Sequence, residues 1–338
     1  MTDIVIVGEA WGETEAREQA PFVGAAGYEL TRMLDEAGIH RADCFLSNVF
    51  NLSPAGNRIE ALCGSKSAAL SGYSSLIKGK YVRAEFAPEL DRLGDELLRE
   101  NPNLIIALGN TAMWALTNKT TISKYRGTTA ISTHCASGFK LLPTYHPAAV
   151  LRQWELRPVT VMDLAKAKRE AEFPEIRRPR VTVYVPETVE DIHEFRTRFI
   201  QRCTVLSVDI ETAGNQITCI GFAPSRRLAL VVPIFDPRRL GRSYWHSSQT
   251  ELAVWKTMRE ILEDPQPSKL FQNGLYDIAF LWRAYGIAVR GATEDTMLLH
   301  HALQPESLKS LGFLGSVYTD HGPWKVERAG TSTIKRDE

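Results

Sequence analysis

The chain has 338 residues, too long for one typical domain and about right for two cores, and its 44% hydrophobic and 24% charged residues exclude a disordered or fibrous architecture. Forty basic residues balance forty acidic ones, so a nucleic-acid partner has to be held by a local basic groove and not by a global field. Five scattered cysteines (Cys44, Cys63, Cys135, Cys203 and Cys219) form no C-x-x-C pair, which argues against a zinc ribbon, a Cys-ligated cluster or a disulfide framework, and no run approaches the ~20 apolar residues of a membrane span; a cytoplasmic protein is expected.

"DIVIVG" (3–8) reads as a buried strand closing on a glycine turn, and "YELTRMLDEAGI" (28–39) spaces Leu30, Met33, Leu34 and Ala37 as a helix does. "DCFLSNVF" (43–50) is a second strand, "APELDRLGDELLREN" (87–101) a helix, and "NLIIALG" (103–109) a third strand opening into "NTAMWAL". This alternation predicts an α/β domain with a parallel sheet, whose ligand sites lie at the carboxyl ends of the strands. Residues 55–81, rich in Gly, Ser and Lys, fit neither period and are expected to be a surface insertion, either a DNA-contacting flap or a neutral decoration.

After a basic helix at 161–173, "PEIRRPR" (174–180) breaks every period and sets the domain boundary, giving domains 1–173 and 181–338. Beyond it, "RVTVYV", "CTVLSVDIETA", "ITCIGFAP" and "RLALVVPI" are strand-like and "ELAVWKTMREILED" is an amphipathic helix, which predicts a second, mixed-sheet α/β domain.

The stretch "GEAWGETEAREQAPFVGAAG" (8–27) crowds Glu9, Glu13 and Glu15 into a glycine-rich loop after the first strand, where glycine lets backbone approach a ligand closely. With "LSNVFNLSP" (46–54), "LGNTA" (108–112) and "LPTYHPAAVLR" (142–152) it makes five ordered motifs, G-E-A-x-G, P-F-V-G-x-A-G, S-N, L-G-x-T-A and H-P-x-x-x-L-R. Over roughly residues 3–170 these resemble the uracil-DNA glycosylase superfamily, nearest its type 4 branch. The resemblance implies a three-layer α/β/α domain that flips a base out of DNA, stacks it on Phe22 and reads its edge with Asn48, with Ala10 in the same pocket. It implies that His146 donates to the uracil O2 as negative charge develops, and that Glu9 and Glu15 position water and stabilise the cationic sugar. Leu151 and Arg152 match the wedge loop that enters the stack and meets phosphate. The family's iron–sulfur cluster needs four cysteines, two of them before the first strand; the chain starts at that strand, so the cluster is expected to be absent. Trp11, where the family carries proline, and Gln19-Ala20, in place of a glycine-containing pair, are departures that leave binding without cleavage as an alternative.

"LSVDIETAG" (206–214) places Asp209 and Glu211 two apart, on one face of a strand, where two carboxylates suit a hard divalent cation. "FQNGLYDIAFL" (271–281) adds Asn273 and Asp277, expected on a helix. Residues 181 to about 325 resemble the DnaQ-like 3′–5′ proofreading exonuclease domain of family A DNA polymerases, an RNase H-like fold. That likeness implies Mg²⁺ or Mn²⁺ held by Asp209, Glu211 and Asp277. It gives Asp295 a structural role. The family's fourth aspartate lies in a Y-x-x-x-D helix that "KVERAGTSTIKRDE" lacks, and Asp337 is poorly placed to replace it, so the resemblance implies an incomplete exonuclease. Together the two halves resemble the N-terminal part of certain bacteriophage family A polymerases. The partners implied are DNA, single-stranded or primer-template, and a polymerase polypeptide, in a host cytoplasm. A metal-dependent nuclease standing alone is the third reading.

Overall fold

The computed structural model describes residues 3–239 and 241–322. They form two compact units, one reaching Arg178 and resuming at Gly312, the other Pro179–Leu311.

The first unit contains strands β1 (Ile4–Ala10), β2 (Cys44–Phe50), the short pair β3 (Cys63–Gly64) and β4 (Tyr81–Val82), then β5 (Leu104–Leu108), β6 (Ala130–Ile131) and β7 (Lys140–Thr144). Its helices are α1 (Glu13–Glu18), α2 (Ala25–Glu36), α3 (Ala87–Glu100), α4 (Gly109–Thr117), α5 (Ile122–Tyr125), α6 (Pro147–Arg152) and α7 (Arg157–Glu170). The main sheet runs β2-β1-β5-β7-β6, parallel except for the β6–β7 pair. Both of its faces are buried, because alternate residues of each strand feed separate cores. Val5 and Val7 join Ile105, Ala107 and Leu141 against Leu90, Leu93 and Leu97 of α3 and Trp114 of α4. Ile4 and Ile6 join Leu104, Ile106 and Leu142 against Leu30, Met33 and Leu34 of α2 and Leu164 of α7. That is an α/β/α sandwich. The chain leaves β1 toward β2 on one side and returns to β5 on the other, so a crevice opens at the carboxyl end of β1.

Residues 55–81 lie mostly at the surface, but they are anchored to the core at a few points. Leu62 and Leu76 are buried in the first core, the Tyr73 ring lies 4.6 Å from that of Trp114, and the Trp114 indole donates to the Ser74 carbonyl at 2.9 Å. Apolar residues too irregularly spaced for helix or strand are tied down here by side-chain hydrogen bonds and short turns, which no periodicity reveals.

The stretch 312–322 packs within the first unit. Arg126 and Asp163, both fully buried, form an ion pair in which Arg126 Nε donates to Asp163 Oδ2 at 2.8 Å and Arg126 Nη1 to Ser316 Oγ at 2.8 Å. Lys166 Nζ donates to the Thr319 carbonyl at 2.7 Å.

The second unit carries β8 (Thr182–Tyr184), α8 (Val189–Arg198), β9 (Val205–Ala213), β10 (Gln216–Ser225), β11 (Leu228–Pro233), α9 (Ser248–Glu263), β12 (Ser268–Phe271), α10 (Leu275–Tyr285), β13 (Ala292–Asp295) and α11 (Thr296–Leu303); α12 (Leu311–Tyr318) crosses into the first. Its sheet is mixed, in the order β13-β12-β9-β10-β11-β8. Among the described residues no helix is long and apolar enough to cross a membrane.

Candidate active site

A cavity of about 630 Å³ opens at the carboxyl end of the parallel sheet. Glu9 and Ala10 from the end of β1, Asn48 from β2, His146 after β7, and Glu15, Phe22, Leu151 and Arg152 all line it. The candidate catalytic, base-binding and wedge residues of the first half therefore line one space.

Phe22 is buried and takes a left-handed backbone, φ 56°, which costs a residue with a Cβ on the order of 1–2 kcal/mol. Two neighbours hold it there. The Arg41 guanidinium donates to the Phe22 carbonyl at 2.9 Å and to that of Gly27 at 3.2 Å. Gly27 is obligatory, since a Cβ there would lie 1.8 Å from the Phe22 oxygen. Gly8 is equally constrained: a Cβ there would stand 2.3 Å from Asn48 Oδ1 and 2.4 Å from Phe22 Cζ. The bare backbone of β1 thus makes room for the two side chains that floor the cavity.

Asn48 is buried, its backbone carbonyl accepts from Arg92 at 2.8 Å, and its side-chain amide has no protein hydrogen bond among the described residues. Such an amide leaves a donor and an acceptor for a ligand edge.

His146 caps α6, its Nδ1 accepting from the Ala148 N–H at 3.2 Å, and its ring centroid lies 6.1 Å from that of Phe22. Burial and then the nearby Arg152 charge lower its pKa to about 4, against a smaller opposing pull from Glu15. At neutral pH the ring is uncharged, and with Nδ1 accepting, the proton sits on Nε2 as a donor.

The two glutamates have different settings. Glu15 Oε1 accepts from the Gly24 N–H at 2.8 Å, and Gly12 and Gly24 both lack the Cβ that would crowd its carboxylate. Glu9 accepts from the Thr111 hydroxyl, and burial raises its pKa in spite of that bond. Trp11 lies outside the lining; its N–H donates to the Leu52 carbonyl at 3.1 Å, while its buried indole Nε1 has no hydrogen-bond partner among the described residues. Gln19 replaces the expected glycine by adopting φ 52° at the end of α1. Arg41 escaped the sequence reading because its work is to hold other residues, while Gly8, Gly27 and Thr111 lay within the quoted motifs without an assigned task.

Among the described residues no three His, Cys or acidic side chains gather as ligands of an iron–sulfur cluster would. Cys44, Cys63, Cys135 and Cys203 each donate from Sγ to a main-chain carbonyl, and burial raises all four thiols, Cys44 to about 11 and Cys135 to about 12. A cluster ligand needs the thiolate.

In the second unit Asp209 and Glu211 do share one face of β9, opposite the buried Leu206, Val208 and Ile210. Asp277, on α10, accepts from the Ile210 N–H at 3.1 Å; burial first, and then the Asp209 and Asp295 charges, push its pKa up to about 6. A cation would relieve that clustering of charge, so Asp209 and Asp277 fit a divalent ion. Among the described residues, however, no three acidic, His or Cys side chains are gathered closely enough to hold one. Asn273 is not on the helix as expected; it takes φ 57° in the turn before it. Asp295 is a clamp: its carboxylate accepts from the N–H groups of Gly274 at 2.7 Å and Met297 at 2.8 Å, capping α11. Burial opposes its charge, but the backbone donors prevail and hold its pKa down. Asp337 lies outside the described residues.

A family model of the uracil DNA glycosylase superfamily matches residues 1–178, and one of 3′–5′ exonucleases matches residues 186–325. The type-4 uracil-DNA glycosylase of Thermotoga maritima is 34% identical over 171 residues, 49% of this chain and 77% of that protein. That of Archaeoglobus fulgidus is 32% identical over 173 residues, 48% of this chain and 74% of that protein. A DNA polymerase of Bacillus phage SP01 is 24% identical over 326 residues, which are 88% of this chain but 32% of the polymerase. With its first 178 residues this chain belongs to the uracil-DNA glycosylase superfamily, and a 3′–5′ exonuclease domain follows them.

Proposed function

We propose that the first unit hydrolyses the N-glycosidic bond of deoxyuridine in DNA. The observation that carries this reading is the single cavity in which a buried aromatic ring, an amide without protein partners and a neutral Nε2–H histidine face one another. Phe22 stacks on the extrahelical base and the Asn48 amide pairs with its edge. As the glycosidic bond breaks, the departing base becomes anionic at O2; the His146 Nε2–H donates to that oxygen and the Arg152 charge adds to its stabilisation. Glu15, oriented by Gly24, positions the attacking water and faces the cationic sugar, while Glu9, held by Thr111, supports it. Leu151 fills the gap left in the stack.

The test is base release from a labelled single-stranded oligonucleotide with one uracil, without metal, followed by alkali. Wild type is expected to break the strand at the uracil. Asn48→Ala should lower that cleavage at least about 10²-fold, since the edge contact positions the base for attack. An intact strand bound tightly by wild type would reject hydrolysis and favour a uracil-sensing module.

For the second unit we propose weak metal-dependent 3′ digestion. Asp209, Glu211 and Asp277 would hold Mg²⁺ or Mn²⁺, which would activate water and stabilise the leaving oxygen. The commitment of Asp295 to backbone donors, which leaves Asp209, Glu211 and Asp277 as the carboxylates for the cation, supports weakness. Slow removal of 3′ nucleotides with either metal, abolished by Asp209→Ala, is expected; digestion unaffected by that change would reject this site. The polymerase relative favours action beside a polymerase polypeptide on primer-template DNA in a host cytoplasm.

A further inference from the structure

The geometry points to a track for unpaired DNA beside the cavity mouth, with Trp154 and Tyr28 as platforms on which bases next to the extrahelical uridine stack. This inference rests on the glycosylase reading of the same cavity. Trp154 opens the turn that follows α6, the helix whose last residues, Leu151 and Arg152, line the cavity. It is a large apolar side chain left 56% exposed, and Leu151 is 47% exposed. Its orientation is not left to chance. The Arg157 guanidinium lies 5.2 Å from the ring centroid, and that guanidinium is fixed by Glu29 and Glu36, each at 2.7 Å. Two carboxylates neutralise Arg157, so it serves as a mount for the indole and not as a phosphate contact.

Tyr28 sits one turn into α2, whose first residues Ala25 and Ala26 line the same cavity, and it is 73% exposed. Helix α2, which carries Tyr28, packs against α6, the helix that leads into the Trp154 turn. Arg152 is exposed, and Arg32, one turn beyond Tyr28, stays 74% exposed while pairing at 3.8 Å with Glu29; both can meet the backbone between stacked bases. Aromatic rings interleaved with cations on a cavity rim suit a single strand, because each base offers a π-face and the contact is sequence-tolerant. In a duplex those faces are already stacked.

The experiment uses the full chain and a fluorescently labelled, uracil-free oligonucleotide, single-stranded or annealed, with affinity read by anisotropy. Trp154→Ala is expected to weaken single-strand binding about 5- to 150-fold and duplex binding by less than about threefold, while kcat on saturating single-stranded uracil substrate stays within about twofold. Trp154→Phe should keep most of the affinity and Trp154→Leu should lose it, which separates a ring from mere bulk if the alanine variant melts early. Tyr28→Ala should weaken the same binding in the same direction. Unchanged single-strand affinity in Trp154→Ala and Trp154→Leu, or equal loss on single strand and duplex, would overturn the track; the second result would make the patch a general phosphate or protein contact. Because this DNA contains no uracil, a chain that released no base but lost single-strand affinity on Trp154→Ala would retain the track and lose the glycosylase reading.

Discussion

His146→Ala is expected to slow uracil release by about 10²–10³-fold, the usual loss when one preorganised donor to a developing anion is removed. Binding of uracil-free DNA should change little, because the imidazole faces the departing base and not the phosphates. The pKa near 4 makes the claim sharper. A ring that is neutral throughout the physiological range gives a release rate with no inflection near the ordinary histidine value of about 6.5. Stability follows with a definite sign. Between pH 6.5 and about 4 the unfolded chain takes up a proton on this residue and the folded chain does not, so wild type loses stability as pH falls through that window. The ceiling is on the order of 3 kcal/mol, reduced by the partial exposure of the ring. His146→Ala removes this contribution. Its melting temperature, compared with wild type at pH 7.5 and pH 5, should therefore decline less. A release rate that titrates near pH 6.5, or identical pH dependence of melting in both proteins, would mean that the histidine is charged or idle.

Much of this site was legible in the sequence because its parts sit where strands end. The runs at 3–8, 43–50 and 103–109 are continuous and apolar, as strands buried on both faces must be, and the structure places β1, β2 and β5 there. Once those strands are parallel neighbours, the loops after them converge without further information. The carboxylate pair of β9 was legible for a similar reason, since a period of two settles which face Asp209 and Glu211 share. What escaped was interaction between segments distant in sequence. Arg41 acts on Phe22 through a carbonyl nineteen residues away, and Arg126 reaches Ser316 across 190 positions. No local pattern encodes either. Residues 55–81 escaped because their order comes from Tyr73 and Leu76 packing on the core, not from a helical or strand period. Asn273 precedes the helix that starts at Leu275, just outside its expected place, since a left-handed residue before a helix leaves no mark on hydrophobic spacing.

Gly8→Ala is expected to reduce uracil release at least about 10²-fold, more than any single methyl group on an ordinary strand should. The backbone at Gly8 is ordinary extended strand, so the effect is steric and not conformational. The added Cβ would meet Asn48 Oδ1 at 2.3 Å and Phe22 Cζ at 2.4 Å, distances no real Cβ tolerates. Neither neighbour can give way at the main chain. Gly8 and Asn48 are register partners of β1 and β2, the Asn48 carbonyl is held by Arg92, and the Phe22 carbonyl is held by Arg41. The side chains must rotate instead, which moves the reading amide and the stacking ring together out of the positions that face the base. Overpacking of a buried strand should also cost about 1–3 kcal/mol of stability, visible as an earlier melt. Gly221→Ala on β10 is the matched control, because its Cβ would make only a 3.8 Å contact with the Asp209 carbonyl, and it should leave uracil release unchanged. If Gly8→Ala released uracil at the wild-type rate, Phe22 and Asn48 could not both be reading the base from the positions they hold, and the stacking and edge-pairing roles would have to pass to other residues of the cavity.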